Sequence, residues 1–319
     1  MHLVKNSEHL MQKTRRSFLK TTAVLPYAFS TMIVNKVSAQ KNQTRNESWV
    51  QNSSRLTNQE TYETHAKGIR IVPGQWRPHY PFEQIAWISP AWPSQDYIWL
   101  DYPEAIFCNL GCIYLSHVNP QVEVVCSDLK KVTWQQSPDG LSFERVLPNG
   151  VKFGGRLYKN EPFVVSMELY IENRSQEVLQ KIKLQTCAFL RGIAEFSEYT
   201  TANKYVHLSG LGWQNLEQAR NSKVQGKYPI GFRGGGPAVA DLPVIVTLSS
   251  KEQRLVAMTW YKNTISMVSN PRHPCMHADP GFPDLKSGEG KKIHGELIFF
   301  NGSLEAFSHW FENRLENRE

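Results

Sequence analysis

The stretch FVVSMELYIE, residues 163–172, decides the fold class. Apolar side chains occupy every second position on one face: Phe163, Val165, Met167, Leu169 and Ile171. Ser166, Glu168 and Glu172 occupy the opposite face. A period of two is typical of a β-strand that buries one face, and it favours antiparallel pairing. The turn-forming residues Asn173-Arg174-Ser175 then predict the end of the strand.

The same alternation recurs in three further segments. Their predicted inward residues are Ile182, Leu184, Thr186, Ala188 and Leu190, then Leu255, Ala257, Thr259 and Tyr261, then Ile293, Gly295, Leu297 and Phe299. Turn signals such as Pro138-Asp139-Gly140 separate the strands, and no series of long helices alternates with them. We therefore expect an all-β protein, a large antiparallel β-sandwich of the jelly-roll or mutarotase-like kind.

One short helix is predicted at the C-terminal end. Ser303 is placed to cap it, and Glu305 complements the positive end of its dipole. Its apolar stripe is formed by Leu304, Phe307, Phe311 and Leu315.

The N-terminal segment carries an export signal. Residues 14–20, TRRSFLK, form a twin-arginine pattern, which a weakly apolar stretch and the small-residue site Val37-Ser38-Ala39 follow. The sequence therefore predicts a signal peptide over 1–39, a flexible polar leader over 40–66 and a single catalytic β-sandwich domain over 67–319. The expected location is the periplasm.

The charge and composition exclude several classes of protein. The net charge is +7, but residues 1–39 contain six basic residues and one acid, so the remainder carries +2. A nucleic-acid-binding domain would keep its basic charge in the folded part, so no nucleic-acid partner is expected. A hydrophobic content of 40% suits a core, and no apolar run is long enough to span a membrane. The five cysteines cannot all pair, and buried free thiols are expected.

The densest cluster of chemically active residues is 271–280, PRHPCMHADP. Its three prolines stiffen the backbone and hold the polar side chains in place. His273 and His277 are the first candidates for acid–base groups. No firm cofactor is predicted, but His273, His277 and Asp279 are candidate ligands for a divalent metal.

Aromatic and basic residues supply the predicted binding groups. Trp87, Trp92, Tyr97, Trp99 and Tyr102 lie within sixteen residues, and such rings stack on the C–H faces of sugars. For any one ring a place in the core is favoured, but as a set they favour a sugar ligand. Arginines that suit a carboxylate or sulfate are Arg191, Arg233 and Arg272. Further candidates are His117, Tyr199 and His207 for catalysis and Trp213 for substrate binding.

Taken together, the export signal, the sandwich pattern, the stretch Trp92–Tyr97 and the segment His273–Asp279 resemble the ulvan-oligosaccharide dehydratase type of marine polysaccharide degraders. The resemblance implies removal of water from a non-reducing-end glucuronic or iduronic acid linked to sulfated rhamnose. The product would be a 4,5-unsaturated uronic acid, which a separate unsaturated-glycuronyl hydrolase would remove. The expected partner is thus an acidic, sulfated oligosaccharide.

Three alternatives stay open on the sequence. A polysaccharide lyase performs the same elimination with a sugar as the leaving group. A glycoside hydrolase needs two carboxylates, for which Asp96, Asp101, Glu104 and Asp279 are available. A non-catalytic sugar-binding sandwich would use the tryptophans alone.

Overall fold

The computed structural model describes residues 68–75, 83–126, 129–234 and 236–318. The predicted signal peptide, 1–39, and leader, 40–66, lie outside these residues. Within the described ranges, no helix combines the length and the hydrophobicity that crossing a membrane requires.

The first of two large antiparallel sheets has seven strands, numbered in chain order. They are β1 (Ile71–Gly74), β2 (Ile85–Ile88), β3 (Ile98–Cys108), β4 (Gly111–Leu115), β9 (Lys183–Phe189), β16 (Thr264–Val268) and β17 (Cys275–Pro280). Their order is β1-β2-β3-β9-β17-β16, and β4 also pairs with β3. Strands β3, β9 and β17 are thus neighbours at its centre.

The second sheet has nine strands. They are β5 (Gln135–Ser137), β6 (Gly140–Val146), β7 (Val151–Glu161), β8 (Val164–Asn173), β10 (Lys204–Leu208), β11 (Gly212–Asn215), β14 (Val244–Leu248), β15 (Arg254–Thr259) and β18 (Gly290–Asn301). Their order is β11-β10-β14-β15-β18-β8-β7-β6-β5. The remaining elements are the ribbon β12 (Tyr228–Pro229) and β13 (Val239–Ala240), helices α1 (Leu216–Ala219) and α2 (Leu304–Glu316), and 3-10 turns at Ala194–Phe196, Phe232–Gly234 and Tyr261–Asn263.

The main core lies between the two sheets. Tyr102 of β3 stacks on Trp260, which follows β15, with ring centroids 6.2 Å apart and planes inclined by 11°. The Tyr102 hydroxyl donates a hydrogen bond to the Glu168 carbonyl of β8 at 2.5 Å, and Trp260 Nε1 donates to Thr186 Oγ1 of β9 at 3.2 Å. Both rings are fully buried, and both bond the opposite sheet. The predicted antiparallel β-sandwich with a short C-terminal helix is confirmed.

Helix α2 covers part of the outer face of the nine-stranded sheet. Its Phe307 and Phe311 are buried, and the Ser303 hydroxyl accepts a hydrogen bond from the Ala306 amide at 3.3 Å, as predicted. Because the helix covers them, β8 and β15 are buried on both faces at this end. Phe163, predicted to face the main core, packs in the cluster under α2 instead. The predicted inward residues Leu255 and Ala257 also lie under α2, whereas Val256 and Met258 face the main core.

Candidate active site

The outer face of the seven-stranded sheet carries the candidate site. On β9, Leu184 and Ala188 belong to the main core, so the alternate residues Gln185, Cys187 and Phe189 point to the other face. On β17, Met276 and Ala278 likewise face the core, and Cys275, His277 and Asp279 take the outer face. The register pairs Met276 with Ala188, which brings His277 beside Cys187. Two neighbouring strands therefore place sulfur, imidazole, amide and carboxyl groups together.

Glu104 lies between two imidazoles. Its Oε1 is 3.8 Å from His117 Nδ1, and its Oε2 is 3.8 Å from His277 Nδ1. A register shift between Asp101 and Ala105 interrupts the pairing of β3 with β9, and Glu104 lies in this irregular stretch. Such irregularities redirect side chains and are common beside active sites.

The region after β4 holds His117 in place. The Ser116 amide donates to the Glu104 carbonyl at 2.8 Å, which fixes the chain next to that residue. The Ser116 hydroxyl donates to Asp101 Oδ2 at 2.7 Å and lies 3.2 Å from His117 Nδ1. The His117 side chain is 20% exposed and that of Glu104 is 16% exposed. Both side chains are therefore partly accessible to solvent.

His277 is the buried member of the site, with its side chain 4% exposed. Its Nδ1 lies 3.4 Å from Gln185 Nε2 and 3.9 Å from Asp279 Oδ1. Asp279 is itself held by the Thr186 amide at 3.2 Å and by the Ser266 hydroxyl at 2.9 Å. The imidazole is thus surrounded by fixed polar groups, not by apolar side chains alone.

Cys187 and Cys275 lie on the other side of His277. Hydrogen bonding from Cys187 lowers the pKa of the Cys275 thiol, burial opposes this, and the charge of His277 lowers it further. The same hydrogen bond, followed by burial, raises the pKa of Cys187. Burial alone would lower the pKa of His277, but the neighbouring Cys275 thiolate and the Glu104 and Asp279 carboxylates outweigh it and raise that pKa. The two shifts have opposite directions, so both favour a thiolate at Cys275 beside a protonated His277.

An aromatic wall extends the site. Trp99, half-buried on β3, stacks on Phe189 of β9 with centroids 5.3 Å apart and an angle of 26°. The Leu190 amide donates to the Pro274 carbonyl at 2.8 Å, which joins the turn after β9 to the turn before β17. These turns bring Arg191, Arg272 and His273 to this end of the sheet, and the His273 ring lies edge-on to Phe189 at 6.4 Å. Arg191, Arg272 and His273 are exposed.

Several other predicted residues lie elsewhere or bury their rings. Trp92 is in the main core and 9% exposed, and the Arg254 guanidinium lies over its ring, 4.9 Å from the centroid. Tyr97 is half-buried, and the Arg70 guanidinium lies over its ring at the same distance, 4.9 Å. His207 on β10 pairs with Asp241, Nδ1 to Oδ1 at 2.7 Å, and contacts the Trp213 ring of β11 at 5.4 Å. His207 and Trp213 therefore lie on the two strands at one edge of the nine-stranded sheet. Tyr199 is 54% exposed, and the side chain of Arg233 lies outside the described atoms.

Two groups of described residues have ligand atoms close enough to hold a metal ion. They are Cys187, Cys275 and His277, and Asp101, Glu104 and His117, with atoms in each group within 4.8 Å of one another. The predicted set of His273, His277 and Asp279 is not one of these groups, because His273 lies in the exposed turn before β17. The sequence analysis did not identify Gln185, and it predicted Cys187 and Cys275 only as buried free thiols, without a role in a site. The available signal was the parity of 185 and 187 on a predicted strand, and of 275, 277 and 279 in the proline-stiffened segment.

No protein-family model matches the chain, and no curated protein matches it significantly. Among solved structures, a candidate aldose 1-epimerase from Escherichia coli K12 is similar over 73% of this chain and 99% of its own, with 10% identity and a TM-score of 0.39. A GalM/aldose epimerase homologue from C. elegans matches 63% of this chain and 79% of its own, with 10% identity and a TM-score of 0.32. A candidate kojibiose phosphorylase from the human microbiome matches 79% of this chain and 29% of its own, with 10% identity and a TM-score of 0.34. Similarity of this degree assigns no activity to the chain.

Proposed function

We propose that this chain is a carbohydrate-active enzyme that transfers a proton on a sugar through Glu104 and its neighbouring imidazoles. The observation that carries the proposal is the position of the Glu104 carboxylate, with one oxygen 3.8 Å from His117 Nδ1 and the other 3.8 Å from His277 Nδ1. A carboxylate in contact with an imidazole at an accessible face is a common arrangement for acid–base catalysis. Glu104 and His117 are the two accessible members and are proposed to contact the substrate.

The dimensions and the side chains of the face support a sugar ligand. Trp99 pairs with Phe189, and Ala105, next to Glu104, pairs with Gln185, so the two ends of the site are four residues apart on β9. At about 3.3 Å per residue this is about 13 Å, which accommodates more than one sugar ring. An aromatic wall at one end and polar groups at the other suit the two kinds of surface on a sugar.

We further propose that the reaction removes water from a non-reducing-end uronic acid. The C5 proton of such a sugar becomes acidic only when the adjacent carboxylate is neutralised, and Arg191 and Arg272 are the guanidinium groups at the edge of the site. Glu104 or His117 would take the C5 proton, and the other would protonate the departing 4-hydroxyl group. The resemblance to ulvan-oligosaccharide dehydratases supports this substrate, and an unsaturated-glycuronyl hydrolase would act on its product.

Ulvan oligosaccharides with a terminal uronic acid provide the test. Incubation with the purified chain should raise the near-ultraviolet absorbance, and mass spectrometry should show loss of one water without chain shortening. A rise in absorbance with shortening would indicate a lyase, and shortening alone a hydrolase. An unchanged mass with altered stereochemistry would indicate an epimerase. Binding without any change in the sugar would contradict an enzymatic role.

Replacing Glu104 by glutamine tests the assignment of the site. Since acid–base groups typically contribute 10²–10⁴-fold, Glu104→Gln should lower kcat by at least about 100-fold. Glu177→Gln is the matched control, because Glu177 is an exposed glutamate outside the site. Equal rates for the two variants would contradict the role of Glu104.

A further inference from the structure

We propose that Cys187, Cys275 and His277 bind one zinc ion. The two sulfur atoms and one imidazole nitrogen lie within 4.8 Å of one another. All three residues belong to the neighbouring strands β9 and β17, and none lies in a loop. Each is less than 10% exposed. Three ligands that rigid strands bring together in this way require little rearrangement to close around an ion.

The chemistry of the three groups selects zinc. Thiolate and imidazole are preferred ligands of Zn²⁺, and they disfavour the hard ions Mg²⁺ and Ca²⁺, which require oxygen. Two thiolates and a neutral imidazole carry two negative charges, and a divalent cation cancels them. The loaded site would therefore be electrically neutral, which suits its burial.

The groups around His277 match those expected behind a metal-binding histidine. Such a histidine usually binds the metal with one ring nitrogen and gives its other N–H to a carboxylate or a carbonyl. Here Nδ1 is the nitrogen that faces two carboxylates, with Glu104 Oε2 at 3.8 Å and Asp279 Oδ1 at 3.9 Å. We therefore assign Nε2 as the zinc ligand.

Three protein ligands leave one position of a tetrahedral ion for water or a substrate oxygen, as in catalytic zinc sites. Because Glu104 also faces His277, the ion would lie beside the proposed acid–base groups. The inference does not depend on the proposed reaction, since it concerns binding of the ion alone, and binding can be measured without any sugar.

Metal titration of the full chain tests the site. Chelator-treated, reduced protein should take up one Zn²⁺ per chain in competition with a chromogenic chelator. With Co²⁺ as the probe, it should develop the near-ultraviolet thiolate-to-cobalt absorption and the intense visible bands of a tetrahedral ion. Cys187→Ser, Cys275→Ser and His277→Gln should each weaken zinc binding by at least about 100-fold, whereas Cys126→Ser, at a buried cysteine outside the cluster, should bind as the unaltered protein does.

Glu104→Gln keeps the test decisive if the ligand variants fail to fold. It leaves all three ligands intact and removes only the negative charge of a carboxylate that faces Nδ1, and loss of such outer partners typically weakens binding by 10–100-fold. Circular dichroism of each metal-free variant identifies those that are folded. Zinc uptake below one ion per chain, a cobalt spectrum without the thiolate band, or a Cys187–Cys275 disulfide in the native protein would each overturn the inference.

Discussion

At the scale of single residues, Glu104 links the two halves of the candidate site. Its two oxygens approach His117 on one side and His277 on the other, at 3.8 Å each. The two imidazoles differ in accessibility, because the His117 side chain is 20% exposed and that of His277 is 4% exposed. A proton that enters or leaves with substrate is therefore expected to pass through His117, while His277 remains a buried partner.

This difference gives a prediction for His117. His117→Asn preserves a polar side chain of similar size but cannot accept and release a proton near neutral pH, so kcat should fall by about 100-fold or more while KM changes little. Steady-state kinetics with a uronic-acid oligosaccharide measures both constants. His309→Asn, on the exposed face of α2, is the control. A His117 variant that turned over as fast as this control would remove His117 from the proposed mechanism.

At the scale of secondary structure, helix α2 is attached by a buried ion pair as well as by aromatic packing. Arg314 donates from Nε to Glu296 Oε2 at 2.6 Å, and from Nη2 to Glu296 Oε1 and to Glu161 Oε1 at 2.7 Å each. Glu296 is only 1% exposed, and Arg318 donates to it at 2.8 Å. The helix thus neutralises a carboxylate that β18 buries.

Removing Arg314 should therefore destabilise the fold. Arg314→Met keeps the aliphatic stem but leaves Glu296 with Arg318 as its partner, and breaking a buried pair in this way costs about 3 kcal/mol of unfolding free energy. Urea denaturation followed by tryptophan fluorescence measures the change. Arg174→Met is the matched control, because Arg174 pairs with Glu172 at an exposed site and its removal should shift the midpoint much less. Similar midpoints for both variants would contradict this account of α2.

The strands show how far a pattern of alternation can predict the structure. It identified the inward face of β9 and of β18, because there Lys183 and Gln185, and Lys292 and His294, alternate with residues of the main core. It could not identify which face of β15 is central, because α2 packs on one face and the other sheet on the opposite one. Nor could it pair Glu104 with His277, since they come from β3 and β17 and meet only through strand order and a local irregularity.

At the scale of the whole molecule, positive charge is concentrated near the N-terminus. Residues 1–39 account for five of the seven net positive charges, which leaves +2 on the other 280 residues. A nearly neutral domain does not attract an acidic oligosaccharide through its overall field. Recognition of a sugar acid is therefore expected to depend on local arginines, and the basic N-terminal segment is expected to serve export instead.

Export gives the prediction that belongs to this scale. Twin-arginine signals depend on the consecutive arginines, so replacing Arg15 and Arg16 together by lysine, which keeps the charge, should leave the protein uncleaved in the cytoplasm. The unaltered protein should instead appear in the periplasm, with a new N-terminus at Gln40 after cleavage behind Ala39. Cell fractionation and N-terminal sequencing measure both outcomes. The matched control replaces Arg45 and Arg55 together by lysine, since both lie beyond the predicted cleavage site. If the Arg15, Arg16 variant were exported and cleaved as efficiently as this control, the assignment of a twin-arginine signal would be wrong.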